Sequence, residues 1–108
     1  MDLLQEINYQ MQQLDIVMKQ YRITGTDFAE KERNYKILLS KRALELRDSG
    51  MAITLINTVI YGEKDVARAR FDRDVAQVTH EANKEAINVY KLKLRILQDQ
   101  FSKEYVNG

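Results

Sequence analysis

His80 is the only histidine of the 108-residue chain, and histidine is the side chain best suited to acid–base chemistry near neutral pH. Catalysis would need a nucleophile or a positioned substrate beside it. The chain has no cysteine, and no serine motif accompanies His80. His80 also falls in line with Arg73, Gln77 and Lys84 at helical spacing, which is typical of a polar helix face. The sequence therefore predicts a solvated histidine and a protein that is not an enzyme.

A second group of possible functional residues consists of carboxylates close together in the sequence, namely Asp72, Asp74, Glu81 and Glu85. A di-metal site in a helical bundle uses Glu-x-x-His motifs on two helices, and this chain contains none. Arginine and lysine alternate with these acids, which indicates a charged face in contact with solvent. No phosphate loop, dinucleotide fingerprint or zinc-ligand spacing occurs either. The sequence predicts no metal and no cofactor.

Basic side chains near these acids could instead follow a phosphate backbone. The candidates are Arg68, Arg70, Arg73, Lys84, Lys91, Lys93 and Arg95. The net charge is only +1, from 17 basic and 16 acidic residues, which argues against a strongly basic nucleic-acid binder and against an acidic mimic of DNA. The segment from Thr54 to Arg70 resembles a helix-turn-helix with Gly62 in the turn, but the distance from Gly62 to Val66 is shorter than that motif requires, which favours a capped two-turn helix leading into a long helix. Nucleic-acid contact stays an alternative interpretation.

The elements that would carry these residues are helices. The chain has no proline and four glycines, three of which fall where helical periodicity stops. The pattern predicts helices over residues 2–23, 27–49, 54–61 and 64–105. In the first of these, apolar residues form a seam at Leu4, Ile7, Met11, Leu14, Met18 and Tyr21.

Local signals set the expected helix ends. Thr24-Gly25-Thr26 interrupts the pattern, Asp27 and Glu30 resemble a capping box, and Thr54 could cap the short third helix. The sequence predicts an all-α fold in one domain: an antiparallel two-helix hairpin, a short connecting helix that seals one end, and one long C-terminal helix.

The last helix carries two apolar stripes and is about 60 Å long. One stripe contains Phe71, Val75, Val78, Ala82, Ala86, Val89 and Ile96; the other contains Ile87, Tyr90, Leu94, Leu97, Phe101 and Tyr105. A hairpin of half that length leaves the C-terminal half uncovered, and large exposed apolar patches are rare in monomers. We expect a homodimer, packed as a bundle or coiled coil, or a partner helix at that place. The second stripe is the candidate protein interface, and an aspartate at Leu94 or Leu97 should break the assembly.

Between residues 34 and 95 the chain resembles small helical proteins encoded by phages and prophages of Gram-positive bacteria. The resemblance lies in Asn34-Tyr35-Lys36, Leu46-Arg47-Asp48-Ser49-Gly50-Met51, Thr54, Gly62, Val66-Ala67, Arg70-Phe71, Asp74-Val75-Ala76, Glu85-Ala86-Ile87-Asn88 and Lys91-Leu92-Lys93-Leu94-Arg95. It implies a phage protein in the cytoplasm of the bacterial host, acting on DNA metabolism or on host defence. It assigns no functional residues.

Two functions follow from these observations. The first is a non-enzymatic protein that binds and modulates a host machine by steric occlusion, as anti-CRISPR proteins and host-nuclease inhibitors do; its target is not evident from the sequence. The alternative is a nucleic-acid-binding accessory protein of phage recombination or replication.

The N-terminus does not resemble a signal peptide, and no apolar run is long enough to cross a bilayer, so we expect a cytoplasmic protein without membrane contact.

Overall fold

The computed structural model describes residues 2–105, and these form an all-helical structure without strands. Helix α1 spans Leu3–Asp48, helix α2 spans Ile53–Val59, a 3-10 turn covers Ile60–Gly62, and helix α3 spans Lys64–Tyr105. The predicted all-α class and the bounds of the long last helix are confirmed. None of these helices is both long enough and apolar enough to cross a membrane.

Helix α1 corrects the predicted hairpin. Residues 24–26 are helical, so the two expected helices 2–23 and 27–49 are one helix of 46 residues. A glycine inside a helix costs only about 1 kcal/mol relative to alanine, and the half-buried Tyr21 and Phe28, one heptad apart, continue the pattern across it. The predicted capping box at Asp27 is absent because no helix begins there; Asp27 forms an ion pair with Lys31 instead, at 3.6 Å.

The ends of α1 are fixed by two local motifs. At the N-terminus the Gln5 amide donates to Asp2 Oδ1 at 2.8 Å, and the Asp2 amide donates to Gln5 Oε1 at 3.1 Å, which is a reciprocal capping box. At the C-terminus the Gly50 amide donates to the Arg47 carbonyl and the Met51 amide donates to the Leu46 carbonyl. This second pattern is a Schellman motif, and Gly50 adopts the positive φ of 93° that it requires.

Replacing Gly50 with alanine should lower the free energy of unfolding by about 1–2 kcal/mol, because a Cβ disfavours the left-handed conformation. Gly62→Ala is the matched control. A Cβ at either position meets nothing within 4 Å, so the two variants differ only in backbone conformation. Urea unfolding followed by circular dichroism measures both. Equal losses in the two variants would contradict a backbone origin.

Contacts divide the chain into two compact units. Among the described residues, unit 1 combines residues 2–24 with residues 80–105, and unit 2 comprises Gly25–Thr79. Unit 1 therefore contains the first half of α1 and the C-terminal part of α3. Unit 2 contains the remainder of both long helices together with α2 and the 3-10 turn.

The core of unit 2 lies where α2 and the 3-10 turn meet the long helices. It contains Tyr35, Ile56, Ile60 and Val66, and Val66 is completely buried. Leu38, Leu39, Ala43, Leu46, Met51 and Ala69 pack around this cluster. Because Ile56 and Ile60 belong to the short connecting segment, that segment contributes directly to the core.

The start of α2 differs from the prediction. The helix begins at Ile53, one residue before the expected cap Thr54, and its N-cap residue Ala52 makes no side-chain capping hydrogen bond. Thr54 lies inside the helix, where its carbonyl accepts a hydrogen bond from the Thr58 hydroxyl at 2.9 Å. Position 54 therefore has no capping role.

An ion pair ties the segment before α3 to α1 in unit 2. Arg42 donates from Nε to Glu63 Oε2 at 2.5 Å and from Nη2 to Glu63 Oε1 at 2.9 Å, and its Nη1 also contacts Glu45. Hydrogen bonding from Arg42 holds the pKa of Glu63 below its ordinary value. The carboxylate of Glu63 is thus favoured in the folded state.

The lowered pKa of Glu63 predicts a pH dependence. A carboxyl whose pKa is lower in the folded state stabilises the fold above its unfolded pKa of about 4.3, and this contribution is lost as the pH falls through the folded value. We expect stability to fall more steeply below about pH 5 in the wild type than in Glu63→Gln. Urea titrations at several pH values measure this slope, with Glu104→Gln as the control at an exposed position. Parallel pH profiles for wild type and Glu63→Gln would contradict the assignment.

Candidate interaction surfaces

Unit 1 is an antiparallel layer of two helices. Thr24 of α1 contacts His80 and Asn83 of α3, whereas Gln10, two heptads earlier, lines a groove with Leu97. The buried residues of this layer are Ile7 and Gln10 from α1 and Leu94 from α3. Such a thin layer has an inner side between the helices and leaves the opposite side of each helix open.

A polar cluster occupies one end of this inner side. His80 Nδ1 lies 3.0 Å from Thr24 Oγ1, and Asn83 Nδ2 donates to the same hydroxyl at 3.1 Å. The imidazole also stacks on Tyr21, with 4.4 Å between the ring centroids. The prediction of a solvated His80 is therefore wrong. His80 has polar neighbours on its own helix, which predicted a position in contact with solvent. Thr24, which faces it from α1, is polar as well, so polarity did not distinguish the inner side of the layer from the outer side.

The predicted protein interface lies mostly on the inner side of unit 1. Leu94 is 8% exposed, and Ile87, Tyr90, Leu97 and Phe101 are half-buried. Only Tyr105 is largely exposed, and its ring packs 4.9 Å from that of Phe101. A first helix that ended near residue 23, as predicted, would have left this part of α3 uncovered. In unit 1 the first half of α1 covers it, and a role of these six residues in binding another chain stays a prediction.

The other stripe of α3 is the open one. In unit 1, Val89 and Ile96 of this stripe are 41% and 52% exposed, and Leu92, which belongs to neither predicted stripe, is 55% exposed beside them. In unit 2, Phe71, Val75 and Val78 of the same stripe are exposed as well. We call the unit 1 part, with its heptad positions Ala82, Glu85, Val89, Leu92, Ile96 and Asp99, the outer row.

Helix α1 also presents apolar side chains that the sequence analysis missed. Tyr9, Ile16 and Ile23 recur every seven residues in unit 1 and are all exposed; we call them the α1 row. Unit 2 shows the same recurrence at Ile37 and Leu44. A single apolar residue per heptad is a weak signal on a helix whose predicted seam has two apolar residues per heptad. The α1 row was therefore not predicted from the sequence.

The predicted seam of α1 is also rotated in the structure. Ile7, Leu14 and Tyr21 are buried or half-buried as predicted. The other predicted members, Leu4, Met11 and Met18, are exposed. Gln10 and Val17 take their places on the inner side, where Gln10 Oε1 is buried without a hydrogen-bond partner. The amide of Gln10 donates to Glu6 at 3.1 Å.

The candidate phosphate contacts fall into two groups. In unit 2 the basic residues already have partners: Arg68 pairs with Asp72 at 3.5 Å, Arg70 lies over the Tyr61 ring, and Arg73 pairs with Glu32 at 3.2 Å. Only Arg73 is largely buried by its partners, with 19% of its side chain exposed, whereas the side chain of Arg68 is 79% exposed. Arg73 is therefore the weakest of the three candidates for binding nucleic acid.

In unit 1 the basic residues lie around an open groove. Lys84 and Lys91 line it together with Met18, Tyr21, Arg22, Ile87 and Asn88. None of these lining residues is acidic. Arg95, one turn beyond Lys91, is exposed.

Across residues 2–105, no cluster of three or more histidine, cysteine or acidic side chains could hold a metal ion.

Comparisons of the chain with protein-family models, with curated proteins and with solved structures find no match. The exposed surfaces of the two units are the features of the molecule that bear on function.

Proposed function

We propose that this chain is a non-enzymatic interaction protein that binds and modulates a protein target through exposed helical faces. The observation that carries the proposal is the α1 row, in which Tyr9, Ile16 and Ile23 are each 46% or more exposed. Apolar residues at heptad spacing are the pattern by which one helix packs on another, or fills a groove on a partner. The target of the α1 row is therefore a protein with a complementary apolar helix or groove.

Steric occlusion is the mechanism that fits this surface. The proposal includes the biological setting implied by the resemblance to phage proteins: the cytoplasm of a bacterial host, with an anti-CRISPR protein or a host-nuclease inhibitor as the type of activity. A near-zero net charge favours an apolar contact with a protein over imitation of DNA. The proposal also includes self-association as a homodimer with coiled-coil packing.

Affinity capture from a host extract tests the proposal. The wild type should retain one protein reproducibly, and the double variant Ile16→Asp/Ile23→Asp should retain at least ten-fold less, because two carboxylates would be desolvated in the contact. Met11→Asp is the matched control, because Met11 is 53% exposed on the same helix and lies two residues after Tyr9, about 160° around the axis from the row. Circular dichroism verifies that all variants remain helical. No retained protein, or equal retention by all three, would remove the proposal.

Nucleic-acid binding is kept as the second candidate because of the groove in unit 1 that Lys84 and Lys91 line without an acidic neighbour. Gel shifts with single- and double-stranded DNA at two salt concentrations test it. Phosphate contacts release counterions, so Lys84→Gln/Lys91→Gln should reduce the slope of log K against log salt by about 1.4–1.8. Lys103→Gln, at an exposed position outside the groove, is the control. Absence of binding at low salt would exclude this function.

A further inference from the structure

We infer that the unit 1 groove lined by Lys84 and Lys91 binds single-stranded nucleic acid, with phosphates on its basic side chains and unpaired bases on its apolar floor. The inference deepens the second candidate of the proposed function and rests on it. It selects a single strand, rather than a duplex, as the class of partner. The α1 row takes no part in this contact.

The basic side of the groove runs along one side of α3. Lys84, Lys91 and Arg95 follow one another at spacings of seven and four residues, and all three are exposed. Within residues 2–105, neither Lys84 nor Lys91 forms an ion pair. Both ammonium groups are therefore available to an anion that enters the groove.

The acidic residues near the groove do not cancel this charge. Arg22 adds a further cation from α1, and the nearest acid on this side of α3 is Glu81, which does not line the groove. Asp15 of α1 is already paired with Lys19 at 3.1 Å. Glu85 lies about 100° around the axis from the residue before it, away from the groove. Four cations thus stand against one acid, which leaves this side of unit 1 at +3 although the whole chain carries only +1.

The floor of the groove is apolar. Met18 is 46% exposed, and Tyr21 and Ile87 are half-buried beside it. The Tyr21 ring stacks on His80 with 4.4 Å between the ring centroids, which holds the ring in place at the groove. Asn88 adds an amide that can donate to a base edge or accept from one. A fixed aromatic ring beside cations is the combination on which unpaired bases stack.

A basic side next to an apolar floor favours a single strand over other polyanions. A duplex keeps its bases paired inside and presents phosphates and sugars, so it would set charged groups against the floor. An acidic peptide supplies charge without flat rings. A single strand exposes both its phosphates and the faces of its bases, and it therefore matches both parts of the groove.

Fluorescence anisotropy with labelled oligothymidylate tests this preference. The wild type should bind the single strand at least about ten-fold more tightly than the same strand annealed to oligoadenylate, because only unpaired bases can stack. Unlabelled oligothymidylate should compete at least about ten-fold better than polyglutamate or free thymidine monophosphate, which each supply only part of the match. Equal affinity for the duplex, or equal competition by either of these two anions, overturns the inference.

A pair of lysine variants locates the phosphate contact. Lys91→Gln should reduce the slope of log K against log salt for the single strand by about 0.7. Lys93→Gln is the matched control, because it removes the same charge from an exposed position about 160° around the axis from Lys91. Its slope should equal that of the wild type. Equal slopes for the two variants would overturn the placement of the strand in this groove.

A pair of tyrosine variants tests the stacking. Tyr21→Leu keeps an apolar side chain at the groove and should weaken single-strand binding about five-fold or more. Tyr9→Leu, at an exposed position of the α1 row, should bind like the wild type. Circular dichroism verifies that both variants remain helical, and the exposed lysine pair decides the matter if Tyr21→Leu does not fold. Equal affinities of folded Tyr21→Leu and the wild type would overturn the role of the ring.

Failure of this inference is distinguishable from failure of the proposed function. Equal binding of single strands and duplexes would overturn the strand preference and retain a nucleic-acid-binding protein. No binding of either form at low salt would overturn the inference together with the second candidate. Neither result bears on capture of a protein target through the α1 row.

Discussion

Val66→Asp is expected to unfold unit 2. Val66 is fully buried, at 0% exposure, within the cluster formed by Tyr35, Ile56 and Ile60. A carboxylate there has no cation among its core neighbours, and leaving a buried charge uncompensated costs about 3–5 kcal/mol. Small domains have a total stability of about 5–15 kcal/mol, so the variant should lose much of its helical signal under mild denaturation.

Ala67→Asp is the matched control for Val66→Asp, because it introduces the same side chain one residue later at an exposed position. Near the N-terminus of α3, a carboxylate there should be neutral or slightly favourable. The deficit of Val66→Asp relative to the wild type should shrink as the pH falls, because the buried carboxyl becomes neutral when protonated. Urea midpoints measured at two pH values provide the comparison. A midpoint for Val66→Asp equal to that of Ala67→Asp would contradict the described core.

Leu94→Ala is expected to destabilise unit 1 by about 2–5 kcal/mol, the range for a leucine removed from a packed interior. Leu94 is 8% exposed on the inner side of the two-helix layer, whereas Leu92 on the same helix is 55% exposed. Leu92→Ala removes the same atoms, so the pair isolates the effect of burial. Thermal and urea unfolding of both variants measures the difference.

The loss in Leu92→Ala should stay within about 0.5 kcal/mol, as is usual for a substitution at the surface. Equal losses in the two variants would show that the inner and outer sides of α3 have been assigned incorrectly.

Much of the fold could be predicted from the sequence. The absence of proline, the spacing of apolar residues and the position of Gly50 were sufficient for the all-α class, for the end of α1 and for the bounds of α3. These features depend on local energies that act within a few residues, such as backbone strain and helix capping. Local energies are largely encoded by neighbouring residue types, which is why they were predictable.

The continuity of α1 was not predictable by the same reasoning. Thr24-Gly25-Thr26 has a weak helical propensity, and the sequence analysis placed a turn there. A helix propensity penalty of about 1 kcal/mol is smaller than the gain from packing an amphipathic face along a neighbour, so tertiary contacts decide the outcome. The predicted length mismatch disappeared with that turn, because the first half of α1 covers α3 in unit 1.

The candidate surfaces, like the fold, were predictable only in part. The sequence by itself determined that α3 carries two apolar stripes and that the chain has no thiol. Only the tertiary structure decided that Leu94 faces inward in unit 1, that Leu92 stays exposed, and that His80 is held by Thr24 and Tyr21. Both stripes have helical periodicity and similar hydrophobicity, so neither property states which one the chain will cover. That choice depends on the shape and side-chain pattern of the helix packed alongside, which is a long-range property of the folded chain.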